Sequence, residues 1–147
     1  MKNAITSIRT FTFPRALVYK AWSDPNYLIQ WWGPAGFTNT FHIHELNPGG
    51  RWSFIMHGPD GRDFANECVF IDIKPNEYLS WEHLPNPKFE VNTYFEEEES
   101  GNTKVTFMMI FETEKEADSM RSFILEKNEE NFVKLDTVLQ KMNIENN

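Results

Sequence analysis

From Phe37 to Glu112 this chain is cut by turn residues at nearly regular intervals, and from Thr113 the pattern switches to helical spacing. The turns are Asn47-Pro48-Gly49-Gly50, Gly58-Pro59-Asp60-Gly61, Lys74-Pro75-Asn76-Glu77, Pro85-Asn86-Pro87 and Ser100-Gly101. Short alternating runs between such signals read as strands, here Phe37–Leu46, Arg51–His57, Asp63–Ile73, Tyr78–Leu84, Phe89–Glu97 and Asn102–Glu112, joined as an antiparallel meander. Upstream, Ala4–Phe13 alternates as a strand and Pro14 stops it. Two short helices follow, Arg15–Ser23 and Asn26–Trp32, divided by the N-cap pair Asp24-Pro25 and ended by Gly33-Pro34. The last helix runs from Thr113 to about Met142. Thr113 and Glu116 form its capping box, and Ala117, Met120, Ile124, Phe132, Leu135, Val138, Leu139 and Met142 its apolar stripe. Polar Lys127 to Asn131 interrupt that stripe, and Ile144 to Asn147 are expected to fray. The expectation is an α+β fold of six to seven antiparallel strands, two short helices and one long C-terminal helix, as one domain over residues 1–147.

Composition excludes several classes. A net charge of −8 disfavours a non-specific grip on nucleic acid or an anionic membrane. No apolar run approaches the ~20 residues that span a bilayer, and Met1 to Thr6 lack the apolar stretch of a secretory signal. One cysteine, Cys68, forbids an internal disulfide and fits a reducing cytoplasm.

Aromatics make up 15% of the chain, and three of them stand among paired glycines and prolines in Trp31-Trp32-Gly33-Pro34-Ala35-Gly36-Phe37. Such a wall suits the mouth of a cavity. One long helix, about 28 residues or roughly 42 Å at the standard rise, laid on a curved sheet leaves space between them. Strand parity puts Trp52, Phe54 and Met56 on the helix-facing side and Arg51, Ser53, Ile55 and His57 on the other. Trp81 falls with Leu79 and His83, and Met109 with Val105, Phe107 and Phe111, whereas both faces of Asp63–Ile73 are apolar.

The ordered motifs carry a resemblance. Arg9-Thr10-Phe11, Phe13-Pro14-Arg15 and Val18-Tyr19-Lys20-Ala21-Trp22 look like an opening of the form R-x-F-x-A-P-R-x-x-V-[WF]-x-A-[WF], with Phe13 and Tyr19 standing where it has A and [WF]. Trp31-Trp32-Gly33-Pro34, Gly36-Phe37-Thr38, Pro48-Gly49-Gly50-Arg51-Trp52, His57 to Gly61, Asn66-Glu67 and Ile73 to Glu77 continue it in order, from about Ile8 to Leu139. On these residues the chain resembles the activator-of-Hsp90-ATPase-like (AHSA1) domain proteins of the SRPBCC superfamily, also called START-like or Bet v 1-like. It departs from them at Phe13, where a small residue is usual, and at Tyr78, where an arginine is common. The resemblance implies a helix-grip fold around a deep cavity. Because that scaffold serves carriers, receptors, cyclases and co-chaperones, it does not fix the function.

The leading expectation is non-catalytic binding of a small apolar or amphipathic molecule, with no cofactor and no metal, by a monomer or homodimer. Its lining set is Trp32, Phe37, Trp52, Phe54, Met56, Trp81 and Met109 from the sheet side, Met120, Ile124 and Leu135 from the last helix, and Asn66 and His83 as orienting polar groups. A protein-interaction module is the first alternative; Trp31 and Trp32, if exposed, would give a dimer contact. A cyclase- or dehydratase-like enzyme is the second, with His57, Asn66, Glu67, Glu82 and His83 as its acid–base candidates. His42 and His44, two apart beside Glu45, read as a solvent-facing pair rather than a metal site. Cys68, mid-strand in an apolar run, reads as inert.

Overall fold

The computed structural model describes residues 2–145. Strand β1 (Ala4–Phe11) leads into helices α1 (Arg15–Ser23) and α2 (Pro25–Trp31). Strands β2 (Thr38–His44), β3 (Arg51–His57), β4 (Asp63–Lys74), β5 (Tyr78–His83), β6 (Phe89–Glu97) and β7 (Thr103–Phe111) follow, and helix α3 (Glu114–Glu145) closes the chain. The strands form one seven-stranded sheet in the order β1-β7-β6-β5-β4-β3-β2, and every neighbouring pair is antiparallel. β2 to β7 follow one another as a meander, and β1 pairs with β7 at its far edge.

Local chemistry sets the element ends. The Asp24 carboxylate accepts the Asn26 N–H at 2.9 Å, and Pro25 takes the first helical position, so α1 and α2 meet at a corner rather than fusing. Thr113 Oγ1 accepts the Glu116 N–H at 3.1 Å and starts α3. Ile144 and Glu145 stay helical, contrary to the expected fraying, while Asn146 and Asn147 lie outside the described residues. Among the described residues no helix is long and apolar enough to cross a membrane.

Trp22, Trp31, Trp52, Phe11, Phe95, Phe111 and Phe132 are fully buried between the sheet's concave face and the helices. Trp22 and Trp31 pack edge to face at 4.7 Å, and Trp31 Nε1 donates to the Ala21 carbonyl at 2.9 Å. Trp31 therefore offers no surface for a dimer contact.

Two bulges re-aim side chains. The β2–β3 register shifts between Phe41 and Ile43, and the β4–β5 register between Phe70 and Asp72. The first puts His44 opposite Trp52 on the inner face while His42 stays exposed, so the two histidines do not share a face as parity alone suggests. The second leaves Ile71 exposed and places Ile73 opposite buried Leu79.

A candidate ligand cavity

A cavity of about 160 Å³ lies between the sheet and α3. Its apolar wall is Trp32, Phe54, Met56, Trp81, Phe107 and Met109, joined by Cys68, Phe89 and Val91. The polar groups are Asn66 and His83 from the sheet and Lys127, Asn128 and Asn131 from α3; none of the described lining residues is a carboxylate. Gly33 and Pro34 complete the wall.

Seven of the twelve expected lining residues meet here: Trp32, Phe54, Met56, Asn66, Trp81, His83 and Met109. The other five do not line the space. Trp52 is buried one layer deeper, its ring 5.2 Å from Trp32 and 5.5 Å from Trp81, which stand between it and the cavity. Phe37 packs on Phe64 at 6.1 Å, outside the cavity wall. Leu135 is fully buried in the core, and Met120 and Ile124 pack against that core along α3. The helix residues that do face the cavity are the polar ones that interrupt the apolar stripe. That interruption was the sequence signal for them.

His83 sits at the polar end. Its Nε2 lies 2.8 Å from Asn66 Oδ1 and its Nδ1 3.2 Å from the Pro87 carbonyl oxygen, and its ring stacks on Phe89 at 4.5 Å. Asn66 Nδ2 donates to the Phe64 carbonyl at 3.1 Å, which holds its oxygen toward His83. Both ring nitrogens thus face acceptors, an arrangement that favours the imidazolium. Burial works against the charge and dominates, lowering the His83 pKa from its ordinary value. On the α3 side, buried Asn128 donates to Ser7 Oγ at 3.1 Å. Asn131 Oδ1 is buried with no hydrogen-bond partner. Burial pushes the Cys68 thiol up to about 12, so it is an inert wall element.

A strap covers one side. Gly33 takes φ +97°, and a Cβ there would meet Met56 Cε at 2.9 Å, so the Trp32-to-Pro34 turn needs glycine to reach the wall. Lys134 Nζ on α3 donates to the carbonyls of Gly33, Pro34 and Phe37 at 3.1, 3.3 and 3.1 Å. Glu130 Oε1 accepts the Ala35 N–H at 3.1 Å. The loop is pinned to the helix from both ends.

The other acid–base candidates point away. Glu67 binds Arg51 and Ser53 on the outer face, the Ser53 hydroxyl foremost in holding its carboxyl below the usual range. Glu82 is exposed, and His57 faces outward. Among the described residues no group of three or more His, Cys, Asp or Glu side chains is placed to hold a metal ion.

A model of the family "Activator of Hsp90 ATPase homolog 1-like protein" matches residues 12–140. The chain belongs to this AHSA1 family. Solved structures share its helix-grip fold. A protein of Nitrosomonas europaea superposes with a TM-score of 0.88 at 19% identity, covering 97% of each chain. A protein of Arthrobacter aurescens gives 0.86 at 24%, over 95% of this chain and 87% of that one. The AHSA1 protein of Silicibacter pomeroyi gives 0.78 at 20%, over 95% and 99%. No protein with a curated description matches the chain.

Two histidines on the inner face of this AHSA1 chain have their pKa values lowered by burial. His44 contacts Phe70 at 5.6 Å and Trp52 at 6.0 Å, its Nε2 is buried without a hydrogen-bond partner, and burial lowers its pKa as it does that of His83. A histidine whose folded pKa is depressed leaves the unfolded chain binding more protons once pH falls below the ordinary 6.5. The contribution of this histidine to stability is therefore expected to be fully present above that pH and to be lost progressively below it. Glu67, also depressed, adds a second decline only below its ordinary 4.5. Urea midpoints are expected to fall between pH 7.5 and 5.5 in the wild type and to fall less in His44→Phe; equal slopes would remove His44 from this role.

Proposed function

We propose that this protein binds a small, mainly apolar molecule in the cavity between the sheet and α3, without turning it over. The supporting observation is a space that a densely aromatic core leaves open, its apolar wall interrupted by a few polar groups from the sheet and from α3. The space measures about 160 Å³. The volume is close to the ~150 Å³ that accepts a benzene ring and below the ~300 Å³ of drug-sized pockets. The occupant is thus one ring in size, or a longer molecule that projects past Lys127 and Pro34. Burying about 150 Å² of a single ring at ~25 cal/mol per Å² gives roughly 4 kcal/mol before entropic costs, a millimolar affinity at best. A tighter ligand must use Asn66, His83, Asn128 or Asn131.

The enzyme alternative has less support, because the cavity's only imidazole is oriented by an amide rather than a carboxylate. The interaction-module alternative draws on the family description. Native mass spectrometry of freshly purified protein, followed by extraction, tests the reading. A retained apolar compound is expected, along with saturable binding of indole as probe that weakens at least about tenfold in Met109→Trp, where the larger side chain overfills the space. Indole binding unchanged in that variant would overturn the cavity assignment. A partner protein captured equally by wild type and Met109→Trp would favour the interaction module.

A further inference from the structure

On the outer face of the sheet, away from the cavity, three side chains of different chemistry stand in line. Asp63 Oδ1 lies 2.7 Å from His57 Nδ1, and His57 Nε2 lies 2.8 Å from Thr40 Oγ1. Register explains the meeting: His57 is the cross-strand partner of Thr38 on one side and of Asp63 on the other, and Thr40, two residues on from Thr38, shares its face.

The partners select one tautomer of the neutral ring. An ionised carboxylate only accepts, so Nδ1 of the neutral ring carries the hydrogen and donates it to Asp63. Nε2 then holds a lone pair, and the Thr40 hydroxyl donates to it. A hydroxyl hydrogen-bonded to an imidazole, which is oriented in turn by a carboxylate, is the arrangement that activates an oxygen nucleophile. Thr40 is exposed and approachable, and its strand partner Ile55 with Ala65 beyond it gives a small apolar strip against which a short acyl group can rest.

We propose that Thr40 is an acyl-accepting nucleophile for small activated esters, with His57 as its general base and Asp63 as the positioning residue. Thr40 Oγ1 attacks the carbonyl carbon and its proton passes to His57 Nε2. The tetrahedral adduct collapses, the bond to the leaving oxygen breaks, and Nε2 returns the proton to that oxygen. Water then attacks the acyl-threonine by the same route, releasing the carboxylic acid and restoring the hydroxyl. Leaving-group activation comes from the substrate on this open face, which limits the class to acyl donors such as aryl esters.

The test uses p-nitrophenyl acetate and peptide mapping of the quenched protein. An acetyl adduct is expected on the peptide carrying Thr40. It should be absent in Thr40→Ala, retained in Thr40→Ser, and formed about 100-fold more slowly in His57→Gln and Asp63→Asn, the lower end of general-base contributions. Nitrogen NMR of the imidazole is expected to show the Nδ1–H tautomer in wild type and its loss in Asp63→Asn, and the acetylation rate should fall in step with that loss while the fold is unchanged. An adduct on His57 instead of Thr40, no adduct at all, or a rate indifferent to His57→Gln would each overturn the proposal.

Discussion

Replacing Trp31 by alanine is expected to cost about 3–5 kcal/mol of folding stability, the usual range for a fully buried tryptophan, whereas Trp32→Ala is expected to cost less and to enlarge the cavity. Trp31 has no exposed surface. Its ring touches Trp22 and Trp32 at 4.7 and 5.6 Å, and its indole N–H is bound to the Ala21 carbonyl. Deletion leaves a hole that α1 and α2 cannot collapse into, because Asp24 and Pro25 fix their corner, and it strands a buried carbonyl as well. Trp32 is only partly buried and its ring forms cavity wall, so the space released by truncation joins an existing void instead of making a new one. Chemical denaturation measures the first effect, and indole titration the second, where a larger apolar probe should gain affinity in Trp32→Ala. Equal destabilisation by the two substitutions would show that Trp32 is a core residue like its neighbour.

That contrast marks what the sequence could convey. The order of strands and helices was legible because Pro and Gly turns and cap residues are local chemistry. The inward set on β3 and β5 was legible because those strands are regular, so Trp52, Phe54 and Met56 alternate inward on β3 and Leu79, Trp81 and His83 do so on β5. Parity failed where a bulge adds a residue: beyond His42 it turns His44 inward, and at Ile71 it resets β4. Depth was not legible either. Trp52 faces inward as expected yet stands behind Trp32 and Trp81, and parity carries no information about which ring is in front. On α3 the apolar stripe suggests the cavity face, but a helix packs its most apolar side against the core and turns its polar break, Lys127 to Asn131, toward the space. Nor could the pairing of Asp63, His57 and Thr40 be read without register, since the three are spread over three strands.

The strap gives the second large effect. Lys134→Met is expected to release the Gly33–Phe37 loop and speed hydrogen exchange at the Phe37 amide by about 30-fold. The Lys134 side chain is half-buried, burial lowers its pKa, and its Nζ donates to three carbonyls that converge on it. Methionine matches the stem and removes the donor, so three loop carbonyls lose their only charged partner. Net hydrogen bonds to a charged donor are worth about 1.5–3 kcal/mol and are not additive within one cluster, so a local loss of about 2 kcal/mol is expected, which at roughly 1.4 kcal/mol per tenfold gives the stated acceleration. The Phe37 amide reports it because it donates to the Pro34 carbonyl at 3.1 Å within the same turn. Lys141→Met is the control, since among the described residues that lysine has a hydrogen bond to the exposed Gln30 side chain at 3.5 Å and none to the loop. If the strap governs access to the cavity, indole association and dissociation both quicken in Lys134→Met while the equilibrium constant moves little, because the wall residues stay in place. Faster exchange with unchanged indole kinetics would place the route of access elsewhere, between His83, Phe89 and Lys127. Exchange unaltered in both variants would mean that the Gly36–Pro59 and Phe37–Phe64 contacts hold the loop without the helix.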